Sequence, residues 1–440
     1  MKLNSQLKED TGYSWVMTRV EPASPFGHAL VRNPKWYGPG EQDKLEAEFS
    51  RVDTLLNLMG EGSVLLESII HILSEFHDIR NSLKRPTSAP MDAALNLLDP
   101  SGRRLPAFSV ENAFEPALER VREEKALVEN ALRQTEKKGR DDLMARRREL
   151  VLKEDRLELE ARKRLTMALL RDRDTFLSTM EDIGRLDLVL AKAKLARRFC
   201  CCRPAITAEA RVVAVDMIHP EVADHLKERG GEFTSVSLTL EQGATVITGA
   251  NMGGKSVSMK SLTLNLLLAQ TGFFAFAKAF SAPLFDSVSL ICTDRQSVEQ
   301  GLSSFGAEVA ALGDVLRQEK GKFFYVALDE FARGTNPREG AALARALVEY
   351  LGRLNCVALL TTHYDGVSDA ARRHYRVAGL GALDTAAIRK DEAPLDRLSR
   401  LMDYHLIESE PGEPCPRDAL RVCRLLDLEP DLMEIFSKNS

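Results

Sequence analysis

The chain has 440 residues, which at roughly 150 residues per domain allows about three units. With 44% apolar and 28% charged residues, its composition argues against both disorder and a membrane protein. The net charge of −5 excludes a globally basic nucleic-acid binder, though not a local basic patch.

Residues 1–40 read as an irregular segment, punctuated by Pro22, Pro25, Pro34 and Pro39 with Gly27, Gly38 and Gly40. The first residues show no apolar stretch of the kind a secretory leader needs. A helical core is expected from residue 41. Leu45, Phe49, Val52, Leu55, Leu56 and Met59 recur at three- and four-residue steps, and Leu65, Leu66, Ile69, Ile70, Leu73 and Phe76 repeat the pattern. After a linker with Pro100, Gly102 and Pro106, long helices are expected over about 113–198, broken near Lys138-Gly139. Residues 133–173 hold 14 Lys/Arg against 9 Asp/Glu. That is either a solvated antiparallel hairpin or a lever whose tip touches a partner such as a phosphate backbone.

Beyond Pro204 the texture changes to short β-branched runs alternating with helices, the pattern of an α/β sheet with covered faces. Strands are expected at 211–215, 235–238, 244–248, 323–328, 357–362 and 404–407, and a helical pair at about 419–425 and 430–436. The Leu- and Phe-rich window 261–280 carries Asn265, Gln270 and Lys278, and reads as a buried helix running into a strand rather than a membrane span. Seven cysteines with no Cys-x-x-Cys pair make neither a disulfide framework nor a usual zinc site. A reducing cytoplasm follows. The triplet Cys200-Cys201-Cys202 reads as small apolar filling at a helix end, with a redox or metal site as the alternative.

The most informative motif is Gly249-Ala250-Asn251-Met252-Gly253-Gly254-Lys255-Ser256, between an expected strand and an expected helix. Glycines there let the backbone turn its N–H groups toward phosphate oxygens, and the helix N-terminus adds its positive dipole end. Lys255 would neutralise the outer phosphates and Ser256 would ligate Mg2+. Downstream, an apolar run ends in Asp329-Glu330, at the strand edge where α/β sheets place ligands. Asp329 would serve the magnesium shell and Glu330 would polarise the attacking water. His363, in Thr361-Thr362-His363, would report on a γ-phosphate.

These motifs, with Leu328-Asp329-Glu330-Phe331-Ala332-Arg333-Gly334-Thr335 and Thr361-Thr362-His363-Tyr364, resemble the ATPase domain of the MutS family, a branch of the ABC-type ATPases. The likeness covers about residues 206–440, and more loosely 41–205. It implies an α/β P-loop NTPase (ABC-type ATPase) domain over 206–395, preceded by an all-α core and lever domain over 41–205. A C-terminal strand and helical pair at 396–440 would serve dimerisation. It implies ATP and Mg2+ as cofactors, bound by residues 249–256 with Val257. Catalysis would fall to Lys255, Glu330 and His363, and Phe233 would stack on adenine. Ser303 and Ser304, followed by Glu308, stand at the family's signature segment and would act in trans across a homodimer or heteromer. Arg333 to Asn336 would lie in the loop crossing that interface.

The sequence also departs from the family. Ala250 replaces a usual Pro and Val257 a usual Thr, and Asn336-Pro337 alter the interface loop. No Phe-x-Glu mismatch wedge occurs, and about 40 residues precede the helical core. Neither a mismatch-reading domain nor a nuclease module is therefore expected. By resemblance the chain looks like short MutS-like proteins associated with adenosylcobalamin-dependent amino-acid aminomutases, which implies an ATP-driven reactivase with a protein client. The alternatives are a DNA-binding ATPase without mismatch reading and a structural ATP-binding protein; no membrane partner is expected.

Overall fold

The computed structural model describes residues 4–60, 64–76, 110, 112–135, 140–249, 253–292, 304–380, 398, 401–414 and 419–439. Helices α1 (Ser5–Asp10), α2 (Tyr13–Met17), α3 (Pro25–Arg32), α4 (Gln42–Gly60), α5 (Val64–Ser74), α6 (Pro116–Gln134), α7 (Arg140–Arg171) and α8 (Arg173–Phe199) come first. Then follow β1 (Ala205–Ile206), β2 (Arg211–Met217), α9 (Pro220–Glu228), β3 (Val236–Glu241), β4 (Gly243–Thr248), α10 (Lys255–Gln270), β5 (Ala279–Ala282) and β6 (Ser287–Ile291). The chain continues with α11 (Ser304–Gln318), β7 (Phe324–Asp329), α12 (Pro337–Leu351), β8 (Cys356–Thr362), β9 (Arg373–Gly379), β10 (Asp403–Ser409), α13 (Ala419–Leu425) and α14 (Pro430–Asn439).

The N-terminal segment is not irregular. Three short helices form there, because Asn4 caps α1 through its side chain, 2.8 Å from the Gln6 N–H, and Pro25 sits at the start of α3, where a missing N–H costs nothing. The chain divides into two units, Met1–Glu21 with Val31–Ser63 and Val189–Ser440, and Pro22–Leu30 with Val64–Leu188. This division departs from the expected boundaries at 41 and 206. Helix α4 belongs with the strands because its apolar face, Leu45, Phe49 and Val52, is fully buried there, Phe49 meeting Phe274 edge-on at 5.9 Å.

The second unit contains a hairpin of α6 and α7. Its ion pairs run in opposite chain directions: Arg164 to Glu115, Arg122 to Glu158 and Glu154, Arg147 to Glu129. The two helices are therefore antiparallel, as the mixed-charge pattern predicts. Leu118 of α6 and Leu150 of α7 are buried. Asp187 closes another part of this unit, accepting from the Ala23 N–H at 2.9 Å, the Ser24 N–H at 2.7 Å and the Ser24 hydroxyl at 2.6 Å.

The first unit carries both sheets. Among the described residues one has the order β1-β5-β2-β3 and the other β10-β9-β4-β8-β7-β6. In the larger sheet β9, β4, β8, β7 and β6 are parallel, and β10 closes the edge antiparallel to β9. Parallel strands require cover on both faces, and β4 and β8 are buried along their whole length.

The window 261–280 is helix α10 leading into β5, as expected. Its polar residues are used inside. Asn265 accepts the Phe276 N–H at 2.7 Å, and Gln270 donates to the Tyr37 and Phe285 carbonyls at 2.9 and 2.8 Å. No described helix is long and apolar enough to cross a membrane. The cysteine triplet follows α8. Cys200 is exposed, while burial raises the thiol pKa values of Cys201 and Cys202 and keeps them protonated.

His219 precedes α9 in the interior, its Nε2–H donating to the Thr11 carbonyl at 3.1 Å. Burial lowers its pKa from 6.5 to about 4. Above pH 6.5 the folded and unfolded chains both carry it neutral. As pH falls from 6.5 to about 4, only the unfolded chain takes up the proton, so stability declines by on the order of 3 kcal/mol. His219→Gln should flatten that part of a plot of urea midpoint against pH; equal slopes in variant and parent would refute the assignment.

Candidate functional site

The carboxyl ends of β4, β7 and β8 lie side by side, with Thr248 paired to Thr362 and Asp329 to Thr361 in register. The glycine-rich turn leaves β4 at Gly249 and enters α10 at Gly254, with φ of 147° and 80°. A Cβ would come within 3.0 Å of Val377 at the first position and 3.1 Å of Tyr404 at the second. Both conformation and space therefore call for glycine at these two positions. Lys255, 4% exposed, donates to the Gly249 carbonyl at 2.8 Å and stands 3.5 Å from Glu330 Oε1.

Asp329 ends β7, and its Oδ1 accepts from the Ser256 hydroxyl at 2.8 Å and the Thr361 hydroxyl at 2.7 Å. Thr361 Oγ1 in turn accepts the Glu330 N–H at 3.0 Å. The Glu330 carboxylate faces three cationic or titratable groups: Lys255, Arg333 Nη1 at 2.7 Å and His363 Nδ1 at 3.9 Å. Burial lowers the His363 pKa against the opposing pull of Glu330, and the Lys255 and Arg333 cations lower it further. His363 is thus neutral at physiological pH, and its Nδ1 is buried without a hydrogen-bond partner.

The turn after β7 is strained. Glu330 and Ala332 have φ of 48° and 65° without being glycine. Two side chains hold it: Glu308 of α11 accepts the Ala332 N–H at 2.9 Å, and the Tyr364 hydroxyl donates to the Ala332 carbonyl at 3.1 Å.

An ammonium, a hydroxyl and carboxylate in contact, a second carboxylate and an unsatisfied imidazole nitrogen thus meet at one sheet edge. This donor set fits a triphosphate accompanied by a hard divalent cation, which takes oxygen ligands. Lys255, Ser256, Asp329, Glu330 and His363 are brought together, with Gly253, Gly254 and Val257 beside them at the start of α10. Ala250, Asn251, Met252 and Ser303 lie outside the described residues. Ser304 opens α11, and Phe233 is half-buried in the loop before β3. Sequence reasoning gave no role to Thr361, Tyr364 or Tyr404. A hydroxyl residue at the end of a neighbouring strand was a signal for Thr361; the bulge that places Tyr404 left none.

Thr361→Val keeps the side-chain volume but removes the acceptor for the Glu330 N–H and a donor to Asp329. It should cost about 1–3 kcal/mol in urea unfolding, whereas Thr361→Ser should retain most of the stability. A valine variant as stable as the parent would show that the hydroxyl does not hold this edge.

Residues 245–396 match the family model described as MutS domain V. Curated relatives include Endonuclease MutS2 of Latilactobacillus sakei subsp. sakei (strain 23K), 34% identical over 224 residues, or 51% of this chain and 28% of the relative. The protein of the same name from Geobacillus kaustophilus (strain HTA426) is 37% identical over 193 residues, 42% of this chain and 23% of the relative. That of Thermomicrobium roseum (strain ATCC 27502 / DSM 5159 / P-2) is 34% identical over 302 residues, 66% of this chain and 36% of the relative. The chain spans about a third or less of the length of these relatives. Gly249, Lys255, the Asp329-Glu330 edge and His363 all fall within the matched segment, so the part of the chain similar to MutS domain V is the part that carries the candidate site.

Proposed function

We propose that this chain binds ATP with Mg2+ and hydrolyses it as a conformational switch. The observation that supports this most directly is the sharing of Asp329 between Ser256 and Thr361, with Glu330 held between Lys255 and His363. Ser256 and Asp329 would hold the cation, which neutralises developing charge on the phosphate oxygens. Lys255 attracts the outer phosphates. The Glu330 carboxylate accepts a proton from the attacking water, and neutral His363 presents Nδ1 to the same edge. The phosphate turn, from Gly249 through Ala250, Asn251 and Met252, would supply backbone donors. Phe233 would serve the adenine.

Assembly as a homodimer or heteromer through the ATPase face, with Ser303 and Ser304 acting in trans and 396–440 at the interface, belongs to the same reading. So does a cytoplasmic setting, which the six described free cysteines support. The client in our first reading is a protein, an adenosylcobalamin-dependent amino-acid aminomutase that the switch would reactivate; this rests on the resemblance of the motifs. The second reading is DNA, and its support is the endonuclease name carried by the relatives.

Glu330→Gln should bind ATP with Mg2+ in calorimetry while phosphate release falls by about 100-fold or more; Lys255→Ala should lose binding. Normal turnover in Glu330→Gln would refute the assigned base. For the client, ATPase stimulation by duplex or branched DNA that weakens steeply with salt would carry the DNA reading. Recovery of an aminomutase in a pull-down, with an ATPase indifferent to DNA, would carry the protein reading.

A further inference from the structure

Strands β9 and β10 touch the phosphate turn at both of its ends. At the entrance, His374 of β9 is 1% exposed and bridges two elements. Its Nδ1 lies 2.9 Å from the Glu410 carbonyl and its Nε2 lies 2.8 Å from the Thr248 hydroxyl. A carbonyl only accepts, so Nδ1 donates to Glu410, and Nε2 shares a hydrogen bond with the Thr248 hydroxyl. Thr248 is the last residue of β4, directly before Gly249, and Gly249 packs on Val377 of the same strand β9.

At the exit, the register between β10 and β9 shifts between Asp403 and Leu406. Such a bulge re-aims a side chain. Here Tyr404, inside the irregular stretch, lies 3.1 Å from the position a Gly254 Cβ would take. Its ring is backed by the apolar cluster of Leu380, Leu398, Met402 and Leu425, the last from α13.

We infer that the β9–β10 hairpin is a positioning element for the phosphate turn, His374 holding its entrance through Thr248 and Tyr404 its exit through Gly254. This rests on the proposed nucleotide site and adds the device that fixes its geometry. A strand end tethered by a buried hydrogen bond and a helix start backed by a ring hold Gly249 and Gly254 at a set separation. The two glycines that bound the turn would then be pre-organised for an anion rather than ordered by it. Both contacts act on the turn itself, so their loss should weaken every ligand that uses the turn, whatever base it carries.

The test is calorimetric titration of the full chain with ATP and with inorganic tripolyphosphate, each with magnesium. Thr248→Val and Tyr404→Ala should each weaken both ligands by about three- to tenfold. Thr248→Ser, which keeps the hydroxyl, and Tyr404→Phe, which keeps the ring, should stay within about twofold of the parent on the same scale. Thermal melts show which variants are folded. Tyr404 lies on the edge strand, so its truncation decides the matter even where a Thr248 variant does not fold.

Unchanged tripolyphosphate affinity in folded Tyr404→Ala overturns the inference. A loss confined to ATP overturns it as well, since Tyr404 would then contact the base. A parent that binds ATP but not tripolyphosphate also overturns it. A parent that binds neither ligand refutes the nucleotide site itself, which is a different failure.

Discussion

The Asp329 carboxylate is the point on which the site depends. One of its oxygens receives two hydroxyls, from Ser256 at the start of α10 and from Thr361 at the end of β8. Hydrogen bonds to an ionised acceptor are stronger than neutral ones and more costly to leave unmade. That single oxygen therefore ties the helix bearing Lys255 to two central strands of the larger sheet. Thr361 extends the link by accepting the Glu330 N–H, so the position of one carboxylate helps fix the backbone of the next. Asp329 and Thr361 stand at the ends of buried parallel strands and Ser256 in the first turn of a buried helix, where packing leaves little freedom.

The strained turn at 330–333 is the second constraint. A left-handed backbone at Glu330 and Ala332 costs on the order of 1–3 kcal/mol per residue, and it persists because Glu308 and Tyr364 hold both polar atoms of Ala332. This shape turns the Glu330 side chain back toward Lys255 and His363 rather than out to solvent. It also links α11, the helix opened by Ser304, to the carboxylate through Glu308. Helix α11 is thereby a single hydrogen bond from the backbone of this turn.

The helical unit behaves differently from what its composition suggests. A surplus of Lys and Arg over residues 133–173 invites a reading as a phosphate-backbone contact, yet several of those cations are spent on neighbouring carboxylates. Arg146, Arg147 and Arg164 pair with Glu124, Glu129 and Glu115 across the hairpin, while Arg122 of the other helix answers Glu154 and Glu158. Exposed pairs of this kind add little stability. They do set the antiparallel register of α6 and α7, and they lower the positive potential the arm offers a partner.

Much of the candidate site's geometry was legible in the sequence because it is local. A strand, a glycine turn and a helix in immediate succession fix where Lys255 and Ser256 stand, and an apolar strand ending in Asp329-Glu330 fixes where two carboxylates emerge. Hydrophobic periodicity likewise located the central strands and the buried helix α10, since burial on both faces leaves a continuous apolar run. Residues 1–40 misled, because prolines and glycines that end helices also begin them, and Pro25 does the latter. Only the tertiary structure decided which distant residues close the site. Thr361 meets Asp329 because β7 and β8 pair in one register, Glu308 reaches Ala332 because α11 packs behind the turn, and Tyr404 reaches Gly254 through a bulge in an edge strand. The physical reason is that chain order specifies local dihedral preferences and polarity. Contacts across the sheet depend on strand order and register, which arise only when the whole core is packed.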